Sequence, residues 1–278
     1  MKQRTQIEYA RRLQAVVAWL GTHMDEPPDL YRMAEIACLS PYHFHRVYRA
    51  MLGETVAATV QRMRLHRASI DLRAGVEPLS RVAQRAGYES PAAFNRAFAG
   101  EFGLPPGRYR ADRSRPFTQR MEPSMYQVNI ERFPGMILAA LEHRGDYQQI
   151  GTTFDQLLLR TQAQQLAEAD ARSFGVYYDD PEQVAQADLR ASAGVQIEPG
   201  RELAGDLVRL ELPAGRYATL DYVGPYGELE APYAWLFGQW LPQSGEAPGE
   251  FPVFEEYLND PRDTPAEQLR TRIFLSLR

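Results

Sequence analysis

The sequence feature that most constrains the fold is a helix-turn-helix pattern that occurs twice in the first 112 residues. In the second copy, Gly87 supplies the positive φ that a tight turn requires. Ser90 and Pro91 then suit the N-cap and the first position of a helix. A shift of 50 residues aligns the first copy with the second, so that Ser40, Pro41, Phe44 and Arg46 match Ser90, Pro91, Phe94 and Arg96. The repeat predicts an all-α N-terminal domain with two helix-turn-helix units.

A single long helix is predicted between the two copies. Thr55 is a suitable N-cap, and Gly75 follows the predicted helix end at Ala74. At about 1.5 Å per residue this helix spans roughly 30 Å, close to the roughly 34 Å between successive major-groove faces of B-DNA. One chain, bound as a monomer, is therefore expected to place two recognition helices in adjacent grooves of double-stranded DNA.

Polar side chains on and between the two recognition helices are the candidate DNA-binding residues. Arginine can donate two hydrogen bonds to guanine, and histidine or tyrosine can donate to base edges or phosphates. The candidates on the recognition helices are Tyr42, His45, Arg46, Asn95 and Arg96. Arg62 and Arg64 of the connecting helix are candidates for phosphate contact, so Arg62→Ala is expected to weaken binding to all DNA sequences alike. The alternatives are that Tyr42 packs internally and that His45 is only solvated. For Arg46 and Arg96 they are phosphate contact without sequence specificity, or an internal salt bridge.

Three longer segments of the N-terminal half carry a resemblance to a known family: SPYHFHRVYRAMLGET, RMRLHRASIDL and AGYESPAAFNRAFAGEFGLPPGRYR. Through them, residues from about 8 to 112 resemble the DNA-binding domain of the AraC/XylS transcription regulators. The sequence departs from the family pattern at two places. Cys38 replaces the usual turn glycine, which predicts a less sharp first turn. Pro91, Ala92 and Ala93 replace polar base readers, which predicts weaker sequence readout by the second recognition helix.

The two halves of the chain differ in charge. Residues 1–120 hold 19 Lys and Arg against 11 Asp and Glu, a net charge of +8, whereas residues 121–278 have a net charge of −13. This asymmetry indicates that one half faces a polyanion and that the other has different partners. The charged, proline-containing segment 113–124 is predicted to be a linker, which divides the chain into a domain at 1–112 and a domain at 125–278.

The second domain has the pattern of a mixed α and β structure. Strands are predicted at 126–133, 137–143, 174–178, 191–197, 207–212, 217–223, 253–258 and 272–277, and helices at 148–168 and 229–241. A shift of 79 residues places Leu141 on Leu220 and Gly145 on Gly224. The fold class is therefore multidomain, with an α+β C-terminal domain of two duplicated βαββ-type repeats. A groove is expected between the repeats, because binding sites commonly form at such junctions.

One glutamate in a predicted strand is a candidate for ligand binding. Strand alternation puts Glu255 and Tyr257 on one face and Glu256 on the other, so one face carries a carboxylate among apolar side chains. A buried carboxylate is costly unless a cation or hydrogen-bond donors meet it. The candidate ligand-binding residues are Glu255, Tyr257, Tyr222, Tyr226 and Trp235. The alternative is that Glu255 lies at a strand edge in water or pairs with an arginine.

The tail segment FPVFEEYLNDPRDTPAEQLRTRIFLSL and the repeated glycine-tyrosine pairs carry a second resemblance. Through them, residues from about 125 to 278 are similar to the GyrI-like small-molecule-binding domain. The ligand-contacting glutamate of that family corresponds to Glu255, with Tyr257 on the same face. The resemblance implies a pocket for amphipathic, often cationic compounds, in which aromatic faces and a carboxylate hold the cation.

These patterns together predict a one-component transcription regulator, not an enzyme, that binds DNA and an amphipathic, cationic small-molecule effector. RNA polymerase is a candidate partner. The alternatives are a GyrI-like hydrolase of a reactive small molecule, in which Glu255 beside Tyr257 activates water, and a module that docks gyrase or RNA polymerase. We expect no cofactor, no metal site and no catalytic residue. A single cysteine, and the lack of a signal core or of a long apolar run, predict a cytoplasmic protein without membrane contact.

Overall fold

The computed structural model describes residues 2–113, 126–166, 168 and 170–278. The first of these ranges is entirely helical in its regular structure. Its helices are α1 (Lys2–Thr22), α2 (Leu30–Ile36), α3 (Pro41–Leu52), α4 (Val56–Ala74), α5 (Leu79–Arg85), α6 (Pro91–Phe102) and α7 (Pro106–Arg113). The predicted linker 113–124 lies outside the described residues, apart from Arg113 at the end of α7.

The ends of the helices follow local side-chain chemistry. At the start of α4, the Thr55 hydroxyl accepts a hydrogen bond from the backbone N–H of Ala58, and Gly75 ends the helix with a φ of 72°. Ser90 occupies the N-cap position of α6, but its side chain makes no capping hydrogen bond. Helix α5 begins at Leu79, after Pro78 at the N-cap position.

The expectation of a less sharp first turn is wrong. Cys38 adopts a left-handed φ of 51°, although it has a Cβ, and Gly87 at the matching position has a φ of 84°. The backbone N–H of Cys38 donates to Glu35 at 2.9 Å, as that of Gly87 donates to Gln84 at 2.9 Å. A non-glycine residue in this conformation costs roughly 1–2 kcal/mol. The packing of α2 against α3 therefore enforces the same turn in both units.

Eight strands form one antiparallel sheet in the second half of the chain. They are β1 (Val128–Phe133), β2 (Met136–Arg144), β3 (Ser173–Tyr177), β4 (Arg190–Gln196), β5 (Val208–Leu212), β6 (Gly215–Val223), β7 (Phe254–Tyr257) and β8 (Arg270–Leu277). The strand order is β1-β6-β8-β7-β3-β4-β2-β5. The predicted fold class is confirmed, and both repeats show the predicted strand-helix-strand-strand order.

Each repeat also contributes an extra strand to the other repeat. β1 precedes the first repeat in the chain but pairs with β6 of the second, and β5 precedes the second repeat but pairs with β2 of the first. The helix of the first repeat is α8 (Ile150–Gln164). The helix of the second repeat begins as α9 (Glu230–Trp235), passes through a π-helical turn and ends as α10 (Leu241–Ser244). No helix within the described residues has the length and apolar character needed to cross a membrane.

The two halves of the molecule share their hydrophobic cores. Leu159 and Ala163 of α8 are buried in the same apolar cluster as the inner faces of α1 to α4. Ala266 and Leu269, from the segment between β7 and β8, are buried with the phenylalanine stripe of α6. The sheet and its helices therefore pack directly on the helix-turn-helix units.

Candidate functional site

Helix α3 presents an exposed face opposite its buried stripe. Phe44 and Tyr48 are fully buried, whereas Tyr42, His45 and Arg46 are exposed, with Tyr42 66% exposed. Nη1 of Arg46 donates to the Tyr42 hydroxyl at 2.6 Å, and the guanidinium lies 5.5 Å from the centre of the tyrosine ring. Tyr42 thus holds the arginine out from the helix in one orientation. The arrangement suits contact with a base edge or a phosphate.

Helix α6 presents the same face with different side chains. Asn95 and Arg96 are exposed at the positions that match His45 and Arg46 of α3. The exposed residue that matches Tyr42 is Ala92, which has no hydroxyl to orient an arginine. The geometry of the two helices is therefore repeated, and the polar groups that would read DNA are fewer on α6.

The two arginines of α4 proposed for phosphate contact point into the protein instead. Nη2 of Arg62 lies 2.7 Å from Glu54 and 3.2 Å from Asp155 of α8, and the Arg62 side chain is only 18% exposed. Nε of Arg64 donates to the backbone carbonyl of Met24 at 2.7 Å. Both side chains are thus engaged within the molecule, because the loop after α1 and the helix α8 cover this part of α4. We accordingly revise the sequence-based roles of Arg62 and Arg64.

A large groove lies between the sheet and helix α4. Its volume is about 1570 Å³, which exceeds the roughly 300–1,000 Å³ of common ligand pockets. Glu255 and Tyr257 of β7 line one side, and Met63, His66 and Ile70 of α4 line the other. The groove is therefore walled by both domains.

The carboxylate of Glu255 is held by tyrosine hydroxyls. Glu255 is 3% exposed, Tyr233 donates to its Oε1 at 2.8 Å, and Tyr257 donates to its Oε2 at 2.9 Å. The hydroxyl of Tyr177 lies 2.5 Å from that of Tyr257. We call Glu255 and these three tyrosines the Glu255 cage. Among the described residues, no salt bridge reaches Glu255, whereas the neighbouring Glu256 pairs with Arg172 at 2.5 Å.

The pKa values in the cage follow from burial. Burial raises the pKa of Glu255 to about 7, and the hydrogen bonds from Tyr233, Tyr257 and Tyr177 act in the opposite direction. Burial and the charge of Glu255 together raise the pKa of each tyrosine well above its ordinary value. The tyrosines therefore remain donors, and the glutamate changes charge near neutral pH.

The cage lies where the two repeats meet. Strands β3 and β7 pair so that Gly175 is opposite Glu255, and Tyr177 and Tyr257 follow them on the two strands. A Cβ on Gly175 would lie 2.8 Å from the Tyr257 hydroxyl, so the glycine leaves room for the tyrosine pair. Aromatic rings extend the wall, with Phe154 and Tyr226 each 5.2 Å from the ring of Tyr257.

A model of the GyrI-like small molecule binding domain matches residues 126–278. The chain belongs to the GyrI-like family. Three of the five predicted ligand-binding residues line the groove of the GyrI-like domain: Glu255, Tyr257 and Tyr226. The other two, Tyr222 and Trp235, are 7% and 5% exposed and belong to the apolar cluster behind the groove wall.

The predicted ligand-binding residues did not include two tyrosines of the Glu255 cage, Tyr177 and Tyr233. Tyr177 lies in the predicted strand at 174–178, and Tyr233 lies in the predicted helix at 229–241. The similarity of FGVY at 174–177 to FEEY at 254–257 was the available signal for Tyr177. The shift of 79 residues places Phe154 on Tyr233, but the contact of Tyr233 with Glu255 depends on how the second-repeat helix packs on the sheet.

The N-terminal half matches a helix-turn-helix domain model over residues 33–112. Regulatory protein SoxS of Escherichia coli (strain K12) is 27% identical over 104 residues, which cover 37% of this chain and 97% of SoxS. The HTH-type transcriptional regulator YbfP of Bacillus subtilis (strain 168) is 28% identical over 123 residues, which cover 44% of this chain and 41% of YbfP. The chain thus spans less than half the length of YbfP. Its N-terminal half is an AraC-type helix-turn-helix domain joined to the GyrI-like domain.

Similarity to a solved structure extends over most of the chain. The cryo-EM structure of an EcmrR-DNA complex in EcmrR-RPo has a TM-score of 0.51 and 13% identity, and the alignment covers 90% of this chain and 99% of EcmrR. At this identity the similarity concerns the fold alone. The domain matches support a DNA-binding transcription regulator with a GyrI-like domain and favour this function over an enzyme.

Proposed function

We propose that this protein is a one-component regulator that binds double-stranded DNA through α3 and α6 and senses an amphipathic, cationic small molecule in the groove. The observation that carries the ligand class is the Glu255 carboxylate, which is 3% exposed and bonded to tyrosine hydroxyls. A buried carboxylate without a countercharge is costly, and the cost falls when a cation occupies the site.

The walls of the groove suit the rest of such a molecule. A cation beside Glu255 would also meet the rings of Phe154 and Tyr226, and aromatic faces attract cations by roughly 0.5–2 kcal/mol. Met63 and Ile70 of α4 offer apolar surface on the opposite side. An aromatic or aliphatic body with one positive charge therefore matches both sides of the groove.

A matched pair of compounds tests the ligand class. Methyltriphenylphosphonium and triphenylphosphine oxide have the same three rings and differ in charge. Calorimetry at pH 8, where Glu255 is ionised, should show that the wild type binds the cation at least tenfold more tightly than the neutral compound. Glu255→Gln should remove this preference and leave the affinity for the oxide within about twofold.

Glu256→Gln is the matched control, because it makes the same change at the next residue, which faces the other side of the sheet and pairs with Arg172. This variant should keep the preference for the cation. Equal losses for both compounds in Glu255→Gln, or the same loss of preference in both variants, would contradict a charge-selective site at Glu255.

The DNA part of the proposal is that one chain binds an asymmetric site that covers about two major grooves, because two recognition helices lie in one polypeptide. Footprinting of a selected site and the mass of the complex test it, and an inverted repeat with two chains per site would contradict it.

A contact with RNA polymerase belongs to the same proposal, and it is supported by the fold shared with EcmrR, which was observed in an EcmrR-RPo assembly. Transcription with purified polymerase, with and without the phosphonium, tests that contact.

A further inference from the structure

Three charged side chains that are largely shielded from solvent connect the groove to the DNA-binding domain. Nη2 of Arg62 lies 2.7 Å from Oε1 of Glu54 and 3.2 Å from Oδ2 of Asp155. Both carboxylate side chains are 8% exposed, and Asp155 belongs to α8 of the GyrI-like domain. We call these residues the Arg62 cluster. Burial would lower the pKa of Arg62, but the charge of Asp155 and the bond to Glu54 raise it, so the arginine stays charged.

The cluster continues to the inner side of the first recognition helix. The Thr59 hydroxyl donates to Oε1 of Glu54 at 2.9 Å and lies 2.9 Å from the hydroxyl of Tyr48. Tyr48 is fully buried in α3, and the opposite face of this helix exposes Arg46. A change at Glu54 is therefore two hydrogen bonds away from the helix that presents the DNA-facing arginine.

The other end of the cluster reaches the Glu255 cage. Asp155 follows Phe154, whose ring lies edge-on to Tyr257 at 5.2 Å, and Tyr257 donates to Glu255. Arg62 and Asp155 themselves line the groove. An occupant that displaces the Tyr257 ring would press on Phe154 and hence on the turn of α8 that holds Asp155.

The second recognition helix meets the GyrI-like domain through different contacts, since the backbone N–H of Ala266 donates to Glu101 of α6 at 3.1 Å. At a shift of 50 residues, the positions of Tyr48, Glu54 and Thr59 are occupied by Phe98, Leu104 and Tyr109. The rings of Phe98 and Tyr109 pack 5.2 Å apart in an apolar cluster. The series Tyr48, Thr59 and Glu54 is therefore not repeated in the second helix-turn-helix unit.

We propose that the Arg62 cluster transmits occupancy of the Glu255 cage to α3, so that a bound ligand changes how the first recognition helix binds DNA. This inference rests on the proposed function and adds its regulation. The physical basis is that a buried ion pair tolerates few geometries, so a shift of Asp155 moves Arg62 and Glu54 with it or breaks the pair. A ligand that favours one of these arrangements changes the DNA affinity by the difference in its own affinity for them.

The test compares two variants that each remove one aspartate charge paired with an arginine. Asp155→Asn breaks the link to Arg62, whereas Asp206→Asn breaks the bond to Arg160 of the same helix, which lies within the GyrI-like domain. For each full-length protein, DNA affinity is measured with and without saturating methyltriphenylphosphonium. Because the probe is saturating, the ratio of the DNA affinities with and without it does not depend on the affinity of the protein for the probe. A wild-type ratio of about 5 to 150 is the range of ordinary allosteric coupling.

We expect Asp155→Asn to bring this ratio to within twofold of 1 and Asp206→Asn to keep the wild-type ratio. Tyr48→Phe serves as the second variant, because it removes one hydroxyl and installs the residue found in the second unit; it should also reduce the ratio. Within the selected site, the probe should alter protection of the half contacted by α3 more than the other half. A wild-type ratio in both Asp155→Asn and Tyr48→Phe would overturn the proposal.

Hydrogen exchange supplies a readout that needs no ligand. Asp155→Asn should raise amide exchange across α3 by at least tenfold and leave α6 unchanged, while Asp206→Asn should affect neither helix. Unchanged exchange in α3 would overturn the inference even when the phosphonium binds. Absence of phosphonium binding in the wild type would instead contradict the proposed ligand class, and the exchange result alone would then decide whether α8 communicates with α3.

Discussion

The hydroxyl of Tyr257 lies 2.9 Å from a carboxylate oxygen of Glu255, which precedes it by two residues on the same strand face. A second tyrosine, Tyr177, approaches that hydroxyl from the other repeat at 2.5 Å. Hydrogen bonds from both repeats favour the ionised form of the glutamate, whereas its burial favours the neutral form and raises its pKa to about 7. The charge of the ligand, the pH of the solution and the tyrosine hydroxyls therefore all affect the ionisation of Glu255.

Removal of the Tyr257 hydroxyl should raise the pKa of Glu255 further above 7. A hydrogen bond to a charged group contributes about 1.5–3 kcal/mol, so Tyr257→Phe should raise this pKa by at least about one unit. The affinity for methyltriphenylphosphonium at pH 7 should fall about tenfold and recover at pH 9. Tyr222→Phe, which alters a tyrosine behind the groove wall, should leave the pH profile unchanged. A loss that is equal at pH 7 and pH 9 would indicate a packing effect instead.

The stability of the folded protein should depend on the ionisation of Glu255. The folded-state pKa is about 7 and the ordinary value is 4.5, so the folded state binds more protons between these pH values. The free energy of unfolding of the wild type should therefore decrease, relative to Glu255→Gln, as pH rises from 4.5 to 7. The expected change is about 3 kcal/mol across this window. Urea unfolding of both proteins at several pH values measures it, and a constant difference would contradict the raised pKa.

Arg46 should carry more sequence preference than Arg96. Arg46 is oriented by Tyr42 through a 2.6 Å hydrogen bond, and the position that matches Tyr42 in α6 is Ala92. Arg46→Ala should cost about 1–3 kcal/mol in DNA binding and relax the preference at one or two base pairs. Tyr42→Phe should relax the same positions less strongly. In-vitro selection with each variant gives the motifs, and a sharper motif in the half contacted by Arg96 would contradict this assignment.

Loss of the arginine in the Arg62 cluster should destabilise the fold. Arg62→Met leaves the buried carboxylates of Glu54 and Asp155 without a countercharge, which costs about 3–5 kcal/mol in the free energy of unfolding. Arg46→Ala on the exposed face should change stability by only about 0.5 kcal/mol. Chemical unfolding of both variants measures the contrast. A small effect of Arg62→Met on stability, together with equally weakened binding to all DNA sequences, would restore the phosphate-contact role.

The sequence allowed prediction of the local structure because each element carries its own signals. The repeated Ser-Pro starts defined α3 and α6, and the alternation around Glu255 assigned the faces of β7 correctly. The positive φ of Cys38 was not predictable, because tertiary packing overrides the preference of a residue with a Cβ.

Long-range partners were the part that the sequence concealed. Arg62 and Asp155 are 93 residues apart, and nothing near Arg62 indicates that a carboxylate from the other domain will cover it. Tyr233 reaches Glu255 across 22 residues through the packing of a helix on the sheet. Trp235 lies on the same helix and was predicted to face the ligand, but the rotation of the helix puts it in the core. Helix orientation, not secondary structure, therefore limited the prediction of the site.

The position of β8 in the sheet has a consequence for how the protein is made. This strand comes last among those described, yet it lies between β6 and β7 in the interior of the sheet. Until β8 has been synthesised, β6 and β7 have no strand between them to pair with. Strand β1 also pairs with a distant strand, since Asn129 of β1 accepts a hydrogen bond from Thr219 of β6, which is 90 residues away. Contacts between such distant residues slow folding. Because α8 and the segment before β8 complete the cores of the helical domain, that domain becomes fully packed only after this segment has been synthesised. Until then its apolar faces stay exposed, a state that favours aggregation.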